Sequence, residues 1–153
     1  MAGELAIAFS VSVRVYFRDT DAGAVVYHGT YLDYLERART EWLRSLGFDQ
    51  RALMHEHGVV FIVRALQVDY LRPAVLEDVL QVSAALRDLG RVQLTLDQQV
   101  RRGTEPLVRA SVNLACVSAG QLRPMPIPPP LRAALSAAGG AGEHSRFAAR
   151  ERH

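Results

Sequence analysis

The chain has 153 residues, of which 49% are hydrophobic and 22% charged, and this composition favours a single globular domain. The net charge is only +2, and the arginines are interleaved with acids rather than clustered, which argues against nucleic-acid binding. A single cysteine, Cys116, excludes an intrachain disulfide, and its apolar neighbours favour a buried, inert thiol. No apolar run approaches the roughly 20 residues of a spanning helix. The first residues also lack the basic start and apolar core of a secretion signal, so we expect a cytoplasmic protein.

The first third of the chain predicts a strand, a loop and an amphipathic helix. Residues 7–17, "IAFSVSVRVYF", alternate apolar and polar side chains, as a half-buried strand does. A loop over residues 19–26 leads to a helix over residues 29–48, which Gly47 ends. Its apolar stripe consists of Tyr31, Leu35, Ala38, Trp42 and Leu46, with Leu32 and Leu43 beside them. A shorter helix, "DQRALMHEHG", follows.

The middle of the chain predicts four long strands. The runs "VVFIVRALQVDYLRP", "DVLQVSAALRDLG", "VQLTLDQQVRRG" and "PLVRASVNLACVSA" are separated by short turn signals rich in Gly and Pro. Strands joined by such short turns are antiparallel, because a parallel return needs a longer crossover. The pattern therefore predicts an antiparallel meander wrapped around the long helix, in the α+β class.

The end of the chain differs in composition from the rest. A proline cluster precedes a short helix over residues 131–138, and the last residues are rich in Gly, Ala and charge. Little there offsets the entropy lost on ordering. We therefore expect one domain over residues 1–138 and a poorly ordered extension over residues 139–153.

The loop before the long helix combines groups suited to acyl transfer. Asp21 lies between a strand and a helix start at Tyr27, His28 and Gly29. Unpaired N–H groups at a helix start can stabilise an oxyanion, and a nearby carboxylate can activate water or attack a carbonyl carbon. Gly23 would let the backbone turn tightly and approach a ligand. Aspartates are also ordinary turn and cap residues, so this local chemistry leaves both interpretations open.

The segment "VRVYFRDTDAGAVVYHGTYLDYLERARTEWLRSLGF" resembles the signature of hotdog-fold acyl-CoA thioesterases of the 4-hydroxybenzoyl-CoA thioesterase-like family. The resemblance continues through "LMHEHGVVFIVRALQVDYLRPAVLEDVLQV" and is greatest to the branch associated with the Tol–Pal system. It is close over residues 11–82 and holds in outline for the later strands. It implies an antiparallel sheet around one long helix, and hydrolysis of an acyl- or aroyl-CoA to a carboxylic acid and free coenzyme A.

The resemblance also implies roles for individual residues near the helix start. Asp21 matches the family's catalytic carboxylate, and His28 matches a histidine of this branch, whose backbone N–H polarises the thioester carbonyl. For the His28 imidazole, a structural hydrogen bond or an interface contact is the alternative. Tyr27 and Gly23 would lie on the substrate side, whereas Asp19 is better interpreted as a turn or cap residue.

Other residues of the resemblance bear on the substrate. In a different hotdog branch the working acid lies on the central helix, where this chain has Glu36. Here Glu36 can act as a second acid, or it can pair with Arg37, Arg39 or Arg64 in support of the substrate. Val63 and Arg64, in the matching "FIVR" run, are candidates for binding coenzyme A. The segment "DLGRVQLTL" departs from the branch, which leaves the acyl chain length open.

Neither a metal nor a separate cofactor is expected. "HEHG" lacks the spacing of a zinc-binding His-Glu-x-x-His helix, and "AAGGAGEH" does not follow a strand as a phosphate loop would. The resemblance implies a homo-oligomer, with a dimer as the minimum and a tetramer common in the family. The thiol carrier can be coenzyme A or acyl carrier protein. An acyl-CoA-binding module without activity, and an enoyl-thioester hydratase or dehydratase, are the alternative functions.

Overall fold

The computed structural model describes residues 9–139, which form one five-stranded antiparallel sheet and three α-helices. The strands are β1 (Phe9–Arg14), β2 (Val59–Tyr70), β3 (Val79–Leu89), β4 (Gln93–Arg102) and β5 (Glu105–Ser118). The helices are α1 (Thr30–Ser45), α2 (Gln50–His57) and α3 (Pro129–Gly139). The long helix α1 lies against β3, β1 and β4. The predicted α+β class, with one long helix on an antiparallel sheet, is confirmed.

The strand order corrects the predicted four-strand meander. The sheet runs β1-β3-β4-β5-β2, so only β3, β4 and β5 are successive neighbours. β2 pairs with β5 at one edge, and β1 pairs with β3 at the other. The segment between β2 and β3 is therefore a connection across the sheet and not a hairpin. The turn signals there are correct, but they do not determine which strands become partners.

Two predicted elements are shorter in the structure. The strand predicted over residues 7–17 ends at Arg14, because the chain then turns into a short 3₁₀ helix, Phe17–Asp19. Residues 7 and 8 lie outside the described residues. The long helix begins at Thr30 and ends at Ser45, followed by Gly47 with φ of 95°.

The apolar stripe of α1 packs against the sheet largely as predicted. Tyr31, Leu35, Ala38, Trp42 and Leu43 are buried in the core, and Leu46 packs against it partly buried. Leu32 was expected beside this stripe but is 37% exposed. The buried face of α1 also includes Tyr34, which was not expected there.

A buried polar side chain joins α1 to the centre of the sheet. Gln98 of β4 is 1% exposed, and its Nε2 donates to the carbonyls of Leu35 and Ser83, at 3.0 Å each. Its Oε1 accepts from Arg39 Nη1 at 3.1 Å. All of these partners compensate the burial of the amide, and they fix the register of α1 on the sheet. Burial lowers the pKa of Arg39, and the charge of Glu36 opposes that effect.

The edge strand β2 has exposed apolar side chains on the face that carries the core. Three of its exposed residues pair with buried residues of β5: Val63 (47%) with Leu114, Leu66 (40%) with Val112, and Tyr70 (48%) with Val108. Residues paired across a ladder share a face of the sheet, so these side chains point to the same side as the core. A long edge strand with such side chains is a surface suited to pairing with another chain.

The last described element is α3, which begins at Pro129 and covers the helix predicted over residues 131–138. Leu131 and Leu135 of this helix are buried in the core. The predicted extension over residues 139–153 lies outside the described residues, except for Gly139, the last residue of α3.

We predict that Cys116 is unreactive in the folded protein. The side chain is fully buried, and burial raises the pKa of the thiol from its usual 9.0 to about 11. The thiolate is the reactive form, so labelling by a thiol reagent near pH 8 should be about 100-fold slower in the native protein than in urea. Equal labelling rates in the two states would contradict the burial of Cys116.

The same raised pKa gives a pH dependence with a definite sign. The folded state holds the Cys116 proton more tightly than the unfolded state does. This contribution to stability is therefore complete below pH 9 and is lost as the pH rises towards 11. Cys116→Ala should remove that part of the decline in a comparison of denaturant midpoints across this range.

Candidate active site

The segment before the candidate site is a capped 3₁₀ turn. Asp19 Oδ2 accepts the Tyr16 N–H at 2.9 Å, and Thr20 Oγ1 donates to the Phe17 carbonyl at 2.7 Å. The interpretation of Asp19 as a turn or cap residue is thereby confirmed. Its carboxylate fixes the chain direction just before Asp21.

Asp21 lies at the start of a tight, exposed loop closed by a bridge between Thr20 and Val26. The Asp21 N–H donates to the Val25 carbonyl at 2.9 Å. Its Oδ1 accepts the Gly23 N–H at 2.8 Å. Within the described residues Oδ2 has no hydrogen-bond partner, so the loop orients the carboxylate and leaves one oxygen available to a ligand.

The tight turn depends on Ala24, whereas Gly23 was expected to provide it. Ala24 has φ of 65°, and its N–H donates to the Asp21 carbonyl at 3.0 Å. Gly23 has no positive φ, and a Cβ there would meet Asp21 Oδ1 at an ordinary 3.5 Å. The contribution of Gly23 is its N–H group, which any residue but proline supplies.

The Asp21 loop is docked on the connection between β2 and β3. Two backbone hydrogen bonds join them, from the Val26 N–H to the Ala74 carbonyl at 2.9 Å and from the Leu76 N–H to the Ala24 carbonyl at 3.2 Å. Val25 and Val75 form a further bridge. The two segments therefore hold each other, although they are far apart in sequence.

Arg102 of β4 secures the β2–β3 connection in turn. Its guanidinium donates to Asp78 Oδ2 at 2.7 Å and to Glu105 Oε1 at 3.0 Å. Asp78 Oδ2 also accepts the Val75 N–H at 2.9 Å. The hydrogen bonds to Asp78 and then to Glu105 raise the pKa of Arg102, so this support stays charged at any physiological pH.

The start of α1 has backbone amides without acceptors. The Tyr27 N–H donates to the Asp19 carbonyl at 3.1 Å, so it is not available to a substrate. The helix begins at Thr30 with Gly29 as its N-cap, one residue after the start predicted at Gly29, and Tyr27 and His28 of the expected helix entry lie just before it. Within residues 9–139, the amides of His28 and Gly29 have no hydrogen-bond acceptor. These two groups, directly after the Asp21 loop, are the donors that can stabilise an oxyanion.

Aromatic rings surround this helix start. The exposed His28 ring lies 4.4 Å from the Tyr27 ring and makes no hydrogen bond within the described part of the chain. The proposed structural hydrogen bond of the imidazole is therefore not formed there. A Cβ on Gly29 would lie 2.9 Å from Tyr27 Cε2, so glycine lets the Tyr27 ring lie over the backbone.

Glu36, Val63 and Arg64 lie away from the Asp21 loop in sequence and are exposed. Among the described residues Glu36 makes no hydrogen bond or ion pair. Its negative charge raises the pKa of Arg39, against the larger effect of burial. Arg64 is the extra residue of a β-bulge, since β2 shifts register between Val63 and Ala65. A bulge re-aims the side chain that it carries. The expected pairing of Glu36 with Arg37 or Arg64 is not found there.

Sequence reasoning missed Tyr34 and Tyr70 near the site. The buried Tyr34 hydroxyl makes no hydrogen bond of ordinary geometry within the described residues, yet burial and then Asp19 raise its pKa. Tyr70 Oη donates to the His28 carbonyl at 3.0 Å. Tyr70 lies in the segment that carries the sequence resemblance, but only the folded chain shows what it contacts.

Residues 9–139 contain no cluster of three or more His, Cys, Asp or Glu side chains placed to hold a metal ion. His55 and His57 lie near the C-terminal end of α2. The His57 ring packs near the Phe48 ring, with 6.0 Å between the ring centroids. None of the helices in this range is long and apolar enough to cross a membrane.

Comparisons with known proteins define the class of the chain. The family model of the Thioesterase-like superfamily matches residues 15–135. An acyl-CoA thioesterase, YbgC, from Haemophilus influenzae is 43% identical over 127 residues, which cover 83% of this chain and 93% of that protein. An acyl-CoA thioester hydrolase, YbgC, from Escherichia coli O6:H1 is 40% identical over 121 residues, covering 78% and 90% of the two chains.

A solved structure agrees with the sequence relatives. A thioesterase from Thermus thermophilus, in complex with coenzyme A and Zn, has a TM-score of 0.74 at 30% identity and covers 88% of this chain and 95% of its own. The fold is therefore the hotdog fold of thioesterases. The chain belongs to the Thioesterase-like superfamily and is a thioester hydrolase.

We predict that Ala24→Gly stabilises the protein. Glycine removes the steric cost of a left-handed backbone at this position, and the free energy of unfolding should rise by about 0.5–1 kcal/mol in urea titrations. Gly23→Ala is the matched control, expected to be close to neutral. A larger loss from Gly23→Ala than any gain from Ala24→Gly would show that the turn depends on Gly23 after all.

Proposed function

We propose that this protein hydrolyses acyl-CoA thioesters to a carboxylic acid and free coenzyme A, with Asp21 as the catalytic carboxylate. The observation that carries the proposal is the position of the Asp21 loop directly before two unpaired amides at the start of α1. Relatives named acyl-CoA thioesterases, at about 40% identity over most of their length, support the same substrate class.

Asp21 supplies the nucleophile or the base. Its Oδ1 is held by the Gly23 N–H, which orients the carboxylate, and Oδ2 has no partner within the described residues and is assigned to the reaction. In one route Oδ2 attacks the thioester carbon, coenzyme A leaves as the thiolate, and water hydrolyses the resulting anhydride. In the other route the carboxylate takes a proton from the attacking water. Both routes give the same products and the same need for an oxyanion site.

The amides of His28 and Gly29 stabilise the carbonyl oxygen as its negative charge develops. They lie at the positive end of the α1 dipole. Neither N–H must break a hydrogen bond within the protein before it donates to a ligand. The role of His28 is therefore assigned to its backbone. Its exposed ring, tilted against the Tyr27 ring, is assigned to the wall of the substrate channel together with the Tyr27 ring.

Glu36, Val63 and Arg64 form the substrate side of the proposal. The guanidinium of Arg64, re-aimed by the bulge in β2, suits a phosphate of the nucleotide part of coenzyme A. Val63 offers an exposed apolar contact beside it. Glu36 is assigned a supporting role, since its carboxylate has no hydrogen bond that would orient it for chemistry within the described residues.

The proposal includes a homodimer as the minimum assembly, with a tetramer as its extension. β2 is an edge strand with an open ladder, and Val63, Leu66 and Tyr70 are exposed on its core-side face. A second copy that pairs along this edge would cover apolar surface and remove the edge. It would also bring β2 of one copy close to the candidate site of the other.

Three finer points extend the proposal, and of these the link to the Tol–Pal system rests on the sequence resemblance over residues 11–82. We place the protein in the cytoplasm, link it to the Tol–Pal system, and include acyl carrier protein beside coenzyme A as a thiol carrier. Cell fractionation tests the first point. Matched acyl-CoA and acyl-carrier-protein substrates in one thiol-release assay test the last.

Asp21→Asn should lower kcat for thiol release by about 10²–10⁴-fold while leaving substrate binding intact, because the amide neither attacks nor accepts a proton. A screen of short, long and aromatic acyl-CoAs on the wild type identifies the substrate for this comparison. Unchanged kcat in Asp21→Asn would refute the assignment.

Glu36→Gln is the matched comparison for the second acid. Full activity in this variant is expected from a supporting residue, whereas a loss as large as that of Asp21→Asn would place Glu36 in the chemical step. Binding without thiol release in the wild type would favour a binding module. Hydration of an enoyl-CoA without thiol release would favour a hydratase.

Leu66→Glu should convert the dimer to a monomer at micromolar concentration, because a carboxylate replaces an apolar side chain on the proposed interface. Light scattering after size-exclusion chromatography measures the mass. Gln67→Glu, on the opposite face of the same strand, is the control and should stay dimeric. A monomeric wild type would refute the interface.

A further inference from the structure

We propose that Tyr70 is a positioning residue that aims the unpaired amides at the start of α1. This inference rests on the proposed function of those amides. Tyr70 is the last residue of β2, and its hydroxyl donates to the carbonyl of His28 at 3.0 Å. It therefore ties the edge strand to the residue directly before the N-cap of α1.

The geometry of the peptide group transmits this contact. The His28 carbonyl and the Gly29 N–H belong to one planar, trans peptide unit, so they point in opposite directions. When the Tyr70 hydroxyl holds the carbonyl oxygen, the Gly29 N–H is directed away from Tyr70. The same contact limits rotation about the His28 backbone, and so limits movement of the His28 amide.

The Tyr70 ring is itself held on both sides. Its centroid lies 5.6 Å from the centroid of the Tyr31 ring and 6.3 Å from that of the His28 ring. The Tyr70 and His28 rings are nearly perpendicular. Tyr31 is 3% exposed, and its hydroxyl accepts the Ala74 N–H at 2.9 Å. Tyr31 is thus a rigid support that connects Tyr70 to the segment on which the Asp21 loop is docked.

These contacts connect both parts of the candidate site, the Asp21 loop and the amides at the start of α1, to Ala74. Ala74 receives the Val26 N–H through its carbonyl and donates its own N–H to Tyr31. The β2–β3 connection at Ala74 therefore positions the Asp21 loop and, through Tyr31 and Tyr70, the amides at the start of α1. An oxyanion site gains its effect from such fixed donors, and small misplacements are costly.

The test compares Tyr70→Phe with Tyr16→Phe. Tyr70→Phe removes only the hydroxyl and keeps the ring between His28 and Tyr31. We expect kcat to fall about 10- to 100-fold with KM nearly unchanged, because the lost contact acts in the transition state. Tyr16 is exposed and lies outside the proposed machinery, so Tyr16→Phe should retain wild-type kinetics.

An NMR readout separates positioning from a merely structural role. In Tyr70→Phe the ¹H–¹⁵N signals of His28 and Gly29 should shift, whereas Tyr16→Phe should leave them in place. Unchanged kcat, a change confined to KM, or unmoved signals in Tyr70→Phe would each overturn the proposal. Full activity of Asp21→Asn would instead refute the proposed function, and the NMR comparison would still decide whether Tyr70 anchors the helix start.

Discussion

The candidate site depends on the hydrogen bonds between the Asp21 loop and the connection from β2 to β3. The carbonyl of Ala74 and the N–H of Leu76 hold the backbone around Val26 and Ala24. Without this pairing the loop would be a short exposed turn before a helix, with no fixed relation to it. Arg102 on β4 holds this connection, so the Asp21 loop is anchored, through the connection, to the central strand of the sheet.

The sheet and α1 then determine where the candidate site lies. Gln98 fixes α1 on β4, and α1 covers β1, β3 and β4. The helix start is consequently held beside the docked loop, with the amides of His28 and Gly29 unpaired. The uncovered side of β2 is the surface to which we assign the proposed second copy of the chain and the proposed substrate contacts.

Several parts of the site were predictable from local sequence, and others were not. The acid before a helix start, the cap role of Asp19 and the amphipathic stripe follow from residue type and spacing. The His28 amide was expected among the free donors, but the Tyr27 amide was included wrongly, because the bond from its N–H to the Asp19 carbonyl cannot be deduced from spacing. Ala24 was overlooked because alanine seldom adopts a left-handed backbone, and only the docked loop requires it there.

The sequence by itself determined the order of the elements, the buried stripe of α1 and, through its resemblance, the class of enzyme. Only the tertiary structure decided the strand order, the open edge at β2 and the contact of Tyr70 with His28. The reason is physical: periodicity and turn residues report on neighbours along the chain, whereas Tyr70 and His28 are 42 residues apart. Tyr31 of α1 lies beside the Tyr70 ring and accepts the Ala74 N–H, so it joins the end of β2 to the start of α1, and no local pattern encodes these partners.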